Sequence, residues 1–203
     1  MSKKLWEASS RQKKDSLLYK YEQFISKKFN KKFNKEYQNI LSWSIKNTEN
    51  FWSSIWDFCE VKGLKGKIKI KKSKLFYRNI FLPNSKVNFA ENLLLKNSED
   101  KAITFISENG FREEKSWQDL NKNVSKVYRF LKNTNVKKKD RVVAYLPNSI
   151  ETVEVFLASS SIGAIWSSCS PDFGVKGVIE RFSQINPKIL FTIDRYFYNG
   201  KEI

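Results

Sequence analysis

The 203-residue chain contains no histidine. That excludes Ser–His–Asp and Cys–His catalysis by its own side chains and leaves no imidazole for zinc. Chemistry supported here runs on carboxylates, lysines, backbone dipoles or a bound nucleotide. Cysteine is nearly absent as well. Cys59 and Cys169 form neither a metal spacing nor a disulfide framework, which fits a reducing cytoplasm, and no residue is expected to ligate a metal. No apolar run approaches the ~20 residues of a membrane-spanning helix. The opening MSKKLWEASSRQKKD lacks an apolar signal core, so the expected setting is cytoplasmic, without a membrane. Internal repeats and long linkers are missing too.

What is abundant is lysine. The net charge is +17, of which residues 1–100 carry +12 and residues 101–203 carry +5. The densest run, residues 62–74 (KGLKGKIKIKKSK), holds seven lysines and no acid. A nucleic-acid surface is the pointed interpretation. Against it, Ile68 and Ile70 alternate with lysines as on an edge strand that hides isoleucine and shows charge to water. Arginine, the preferred base reader, is scarce. A solvated lysine surface is the expectation, and nucleic acid is not an expected partner.

Forty per cent hydrophobic residues, sixteen phenylalanines among them, suffice for a packed core. Residues 1–12 read as a loose tail. Apolar residues at helical spacing predict helices over residues 16–29, 35–46 and 48–59, the last carrying Phe51, Trp52, Ile55 and Trp56 as a core stripe. Residues 75–82 read as mixed strand or extended chain, and residues 88–95 as a short helix. The softest boundary lies near residues 96–100, dividing a mostly helical region, 13–97, from residues 98–203. Residues 102–107 and 111–117 predict a hairpin about Glu108-Asn109-Gly110. Ser116 with Asp119 then caps a helix over residues 117–132.

The most informative stretch is residues 140–201. Apolar residues 142–146 predict a strand buried on both faces. Pro147 breaks it, Asn148 or Ser149 caps the next helix, and Gly163 sits where a left-handed C-cap belongs. A second strand over residues 164–168, a helix from Val175 to Ile185, a stop at Pro187 and a third strand over residues 188–193 follow. Strand–helix alternation of this length implies parallel strands with helices over the sheet, and ligands beyond the strands' carboxyl ends. Three segments reach that edge: residues 147–149, 169–174 and 194 onward.

Several segments resemble the acetoacetyl-CoA synthetases of the adenylate-forming superfamily, colinearly from about Trp43 onward. They are WSIKNTENFWSSIWDF at residues 43–58, NFAENLL at 88–94, YLPNS at 145–149, SIGAIWSSCSPDFG at 161–174, RFSQINPK at 181–188 and YNGKE at 198–202. The resemblance implies an α/β fold: an N-terminal helical region, then the start of a parallel, helix-covered sheet, an incomplete large domain. It implies an ATP- and Mg²⁺-dependent acyl-adenylate followed by transfer to CoA, with acetoacetate as acyl substrate. The family's phosphate loop, a Ser/Thr/Gly-rich run ending in lysine, does not occur in these residues, and Ser159-Ser160-Ser161 is the nearest polar cluster. The expectation is therefore an N-terminal ligase segment, from a truncated frame or a split gene, inactive alone and partnered by the remaining part. Catalytic residues are none. By colinear position the resemblance implies CoA contacts at Ser170, Pro171 and Asp172, then Tyr198 and Lys201. The alternatives are a non-catalytic interaction module on the same fold and, less favoured, a nucleic-acid-associated protein.

Overall fold

Apolar residues at helical spacing between lysines set up the N-terminal helices. In the computed structural model, which describes residues 5–203, α1 runs Ser10–Asp15, α2 Leu17–Phe29, α3 Tyr37–Lys46 and α4 Thr48–Phe58. Residues 1–4 of the expected tail lie outside the described residues. The rest of it is helical from Ser10, because Ser9 and Gln12 cap each other reciprocally: the Ser9 hydroxyl accepts from the Gln12 N–H and the Gln12 amide oxygen accepts from the Ser9 N–H. The chain divides into two compact units, one ending at Val87 and the other Asn88–Ile203.

The first unit packs on aromatic rings. Tyr21, Ile25, Phe33, Ile40 and Trp43 form its buried cluster, and Phe51, Ile55 and Phe58 of α4 lie against it. Tyr21 meets Phe58 edge-on at 5.2 Å between centroids, and its hydroxyl shares a 2.7 Å hydrogen bond with Ser54. The expected α4 stripe is therefore split, Phe51 and Ile55 facing the core while Trp52 is partly exposed.

Beyond α4 the lysine-rich run forms only two-residue strands. β1 (Gly63–Leu64) pairs with β4 (Lys86–Val87), and β2 (Ile70–Lys71) pairs with β3 (Ile80–Phe81), all antiparallel. A 3-10 turn, Phe76–Arg78, interrupts the expected strand over residues 75–82. Ile70 is half-buried opposite Phe81, but Ile68 is exposed, so the edge-strand pattern holds at one isoleucine only. Gly63 lets the two chains close: a Cβ there would lie 2.3 Å from the Lys86 carbonyl oxygen. Several lysines are committed locally, Lys65 to Asp57, Lys72 to Glu49 and Lys69 to Asn50.

The second unit opens with α5 (Phe89–Leu93), capped by Asn88. The Asn88 Nδ2 also donates to the Ser160 and Ser161 carbonyls, and Ala90 is fully buried beside Leu120, Val124 and Leu157. Residues 96–100, the soft boundary of the sequence, fall within this unit. The hairpin forms as β5 (Lys101–Ile106) and β6 (Arg112–Ser116), with Gly110 at φ 81° in its turn. Ser116 caps α6 (Trp117–Asn133) through the Asp119 N–H at 3.1 Å.

Then come β7 (Arg141–Tyr145), α7 (Ile150–Ile162), β8 (Ile165–Cys169), α8 (Val175–Ser183) and β9 (Ile189–Thr192). Ser149, rather than Asn148, caps α7, and Gly163 closes it at φ 78°. The sheet is parallel in the order β8-β7-β9, with Val142 opposite Trp166 and Ile189. Successive residues of β7 face opposite helices: Val142 packs with Leu131 of α6 and Leu157 of α7, Val143 with Phe182 of α8. Helices thus cover both faces, as right-handed crossovers to either side of β7 require. A final hairpin, β10 (Phe197–Tyr198) with β11 (Lys201–Glu202), turns at Asn199 and Gly200, both at positive φ. The architecture is α/β.

Candidate functional site

At the carboxyl end of β8, residues 170–174 form a loop that the end of β7 holds in place. Tyr145 is the last residue of β7, and its hydroxyl lies 2.6 Å from the Pro171 carbonyl and 3.0 Å from that of Phe173. Within the loop the Ser170 hydroxyl bonds the Asp172 carboxylate. The Arg181 guanidinium lies over the Phe173 ring, 4.5 Å from its centroid, so α8 grips the far end. Gly174 begins α8 without a side-chain cap, and no acid stands in the first turn. Its leading N–H groups therefore point at the carbonyl edge of the sheet without a side-chain acceptor, a setting that favours an anion.

Tyr198 and Lys201 face each other as cross-strand partners in the terminal hairpin. Among the described residues Lys201 has no ion-pair partner, whereas Arg195 beside it bonds Glu202 at 3.3 Å. The hairpin is fixed from outside by the Gly200 N–H, which donates to Glu108 at 3.4 Å. Tyr196 closes the base of the hairpin, its N–H donating to the Ile203 carbonyl and its carbonyl accepting from the Ile203 N–H. Removal from water first, then the nearby Tyr145, Asp172 and Tyr198, raise its phenol above the ordinary value, and its ring lies 6.3 Å from that of Tyr198.

The five positions expected from the sequence thus fall on two segments of one sheet edge. Ser170, Pro171 and Asp172 share the β8 loop; Tyr198 and Lys201 share the hairpin; no hydrogen bond or ion pair joins Lys201 to the loop among the described residues. Tyr145 heads the YLPNS segment, yet its bonds to Pro171 and Phe173 follow from no local pattern, and Tyr196 stands in no quoted segment. The signals for Tyr145 were its polarity within the apolar run 142–146 and its place at the head of YLPNS. Ser159-Ser160-Ser161 lies in the last turns of α7, where Ser159 and Ser161 donate back to the carbonyls of Val155 and Leu157. It is helix, not a phosphate-cradling loop. Among the described residues no group of three or more His, Cys, Asp or Glu is placed to hold a metal, and no helix is long and apolar enough to cross a membrane.

Comparison with known proteins agrees with this architecture. The family profile described as AMP-binding enzyme matches residues 93–202. The acetoacetyl-coenzyme A synthetase of Rhizobium meliloti is 39% identical over 166 residues, covering 82% of this chain and 26% of that protein. That of Macaca fascicularis is 38% identical over 170 residues, covering 82% and 25%. The chain spans about a quarter of the length of these curated relatives. The solved acetoacetyl-CoA synthetase of Streptomyces lividans superposes with a TM-score of 0.90 at 25% identity, over 99% of this chain and 32% of that one. Profile, sequence and fold converge, and the chain belongs to the AMP-binding enzyme family.

Proposed function

We propose that these residues supply the N-terminal part of an ATP-dependent acetoacetate–CoA ligase. The observation that carries the reading is the likeness of nearly the whole chain to acetoacetyl-CoA synthetases in both sequence and fold. In the assembled enzyme the acetoacetate carboxylate attacks the α-phosphorus of ATP, giving acyl-AMP and pyrophosphate. The CoA thiol then displaces AMP to give the thioester. Mg²⁺ accompanies ATP in this reading, and a cytoplasmic setting suits the two free thiols.

This chain's own share is the carbonyl edge. Lys201, the uncapped start of α8 and the Tyr198 hydroxyl suit the phosphate-bearing end of CoA, with Ser170 and Pro171 beside them. Asp172 opposes that anion and holds the Ser170 hydroxyl proton. An exposed ion pair contributes about 0–1 kcal/mol. Set against the several kcal/mol lost on association, that leaves the chain alone with affinity for CoA no tighter than about millimolar. Adenylation needs a phosphate loop that these 203 residues do not contain, so a polypeptide of this sequence alone is inactive in ATP–pyrophosphate exchange.

Joined to the remainder of a ligase, Lys201→Ala is expected to raise the Michaelis constant for CoA by up to about fivefold, the worth of one exposed ion pair. ATP–pyrophosphate exchange stays unchanged, because adenylation precedes CoA entry. Loss of exchange, or no change in either half-reaction, would remove Lys201 from the CoA surface.

A further inference from the structure

The first unit holds a cavity of its own, about 390 Å³ in volume and bordered by α1, α2 and α3. Leu18 and Tyr19 of α2, with Tyr37 and Ile40 of α3, give it apolar and aromatic walls. A space of this size suits a small molecule. Glu22 reaches it from α2, and only 6% of that residue is exposed. A carboxylate so far out of water needs hydrogen-bond partners. Its Oε1 accepts from the Lys35 N–H at 2.9 Å, within a left-handed turn at Asn34 and Lys35, φ 57° and 58°. Its Oε2 has no hydrogen-bond partner, and Glu22 has no ion-pair partner, among the described residues. No side-chain oxygen or nitrogen among them is both sealed from solvent and unsatisfied, so Oε2 opens onto the cavity. Holding the turn asks for one oxygen. The other is a free acceptor inside an aromatic pocket.

The rim of the cavity is basic. Lys13 is held by Glu7 at 2.7 Å, but Lys14 and Lys35 have no ion-pair partner among the described residues. These lysines repel the simple ammonium ion that a lone buried carboxylate would otherwise attract. Walls, acceptor and rim together fit one chemical class: a flat ring, an N–H donor on that ring, and an anionic group. We infer that this cavity binds a purine nucleoside monophosphate through a ring amine. The amine donates to Glu22 Oε2, the base lies against Tyr19 and Tyr37, and the phosphate sits at Lys14 and Lys35. The inference does not draw on the ligase reading. The residues that border the cavity fall between 10 and 40, before the stretch 93–202 that the family profile matches.

The test is ligand-observed NMR on the 203-residue chain, with AMP, GMP, their nucleosides, ribose phosphate and purine riboside monophosphate as probes. The last is AMP without its ring amine. The better of AMP and GMP is expected to bind with a dissociation constant of about 0.1–1 mM. Purine riboside monophosphate binds about tenfold more weakly, the worth of one hydrogen bond to a charged group, and ribose phosphate more weakly still. Glu22→Gln keeps the bond to the Lys35 N–H through its amide oxygen and presents its NH₂, a donor, to the cavity. The fold is retained, so the melting temperature stays nearly unchanged, and the advantage of the ring amine disappears. Lys14→Ala weakens the nucleotide by up to about fivefold and leaves the nucleoside as it was. Lys67→Ala, at an exposed lysine outside the cavity, changes neither. Equal binding of every phosphate whatever its base would be attraction to a chain of net charge +17, and overturns the inference. So does a preference for the ring amine that survives Glu22→Gln. Absence of binding by AMP and GMP throughout the millimolar range overturns it as well, and that comparison needs no variant to fold.

Discussion

Glu154 lies on α7 with 6% of its surface exposed, and its Oε1 accepts a 2.8 Å hydrogen bond from Asn123 of α6. Burial is the largest influence and raises its pKa; Glu151 and Glu113 push the same way, while the Asn123 bond and Lys115 oppose. Folded Glu154 therefore keeps its proton to a higher pH than the unfolded residue does. Its contribution is fully present below the unfolded pKa and is lost as pH rises through the folded one. Glu154→Gln keeps the acceptor and removes the charge. The substitution is expected to raise the melting temperature at pH 7 and to leave it nearly unchanged at pH 4. A difference of the same size at both values would mean that ionisation plays no part. Asp57 behaves oppositely: burial opposes its ionisation, but bonds from Lys28 and Lys65 outweigh it and hold the carboxyl below its ordinary value. Elsewhere the residues speak mainly as packing. Leu131 is fully buried between α6 and the sheet, and Leu131→Ala is expected to cost about 2–5 kcal/mol in denaturant unfolding.

Among the elements, α5 shows how a five-residue helix holds its place. Asn88 caps it through the Glu91 N–H at 3.1 Å and donates to two carbonyls at the end of α7. Asn88→Asp keeps the cap but turns a carboxylate toward those carbonyls, so it is expected to destabilise at least as much as Asn88→Ala, by about 1–3 kcal/mol. An Asp variant as stable as wild type would show that the cap is all that matters. The same contrast of local and distant bonds explains what the sequence made legible. β7, α7, β8, α8 and β9 begin and end within two residues of expectation, because Pro147, Gly163 and Pro187 punctuate continuous apolar runs. The hairpin and its following helix were equally plain, since Gly110 and Ser116 act on neighbouring residues. Residues 62–74 were not: their pairing depends on Lys86, Val87, Ile80 and Phe81, far along the chain, and alternation alone promised a longer strand than forms. Nor was the tether of the candidate site. Nothing local to Tyr145 announces bonds to Pro171 and Phe173, twenty-six and more residues away.

The whole molecule combines strong positive charge with uncovered apolar surface. Phe76 and Tyr77 in the first unit, and Leu190, Val175 and Ile179 in the second, are all more than half exposed. Patches of this kind mark interaction surfaces, and in isolation they promote association. The isolated chain is therefore expected to bind a hydrophobic dye and to sediment heterogeneously, and to become monodisperse when the rest of an AMP-binding polypeptide is supplied. A well-behaved monomer that melts cooperatively and binds no dye would favour a self-sufficient module. These residues are proposed to form one working part of an acetoacetate–CoA ligase. The most direct measurement is ATP–pyrophosphate exchange and thioester formation, with acetoacetate, by a chimera in which this chain replaces the matching third of the Streptomyces lividans synthetase. Both half-reactions are expected in the chimera and neither in the 203-residue chain alone. A folded chimera that performs neither, while the parent enzyme performs both, would contradict it.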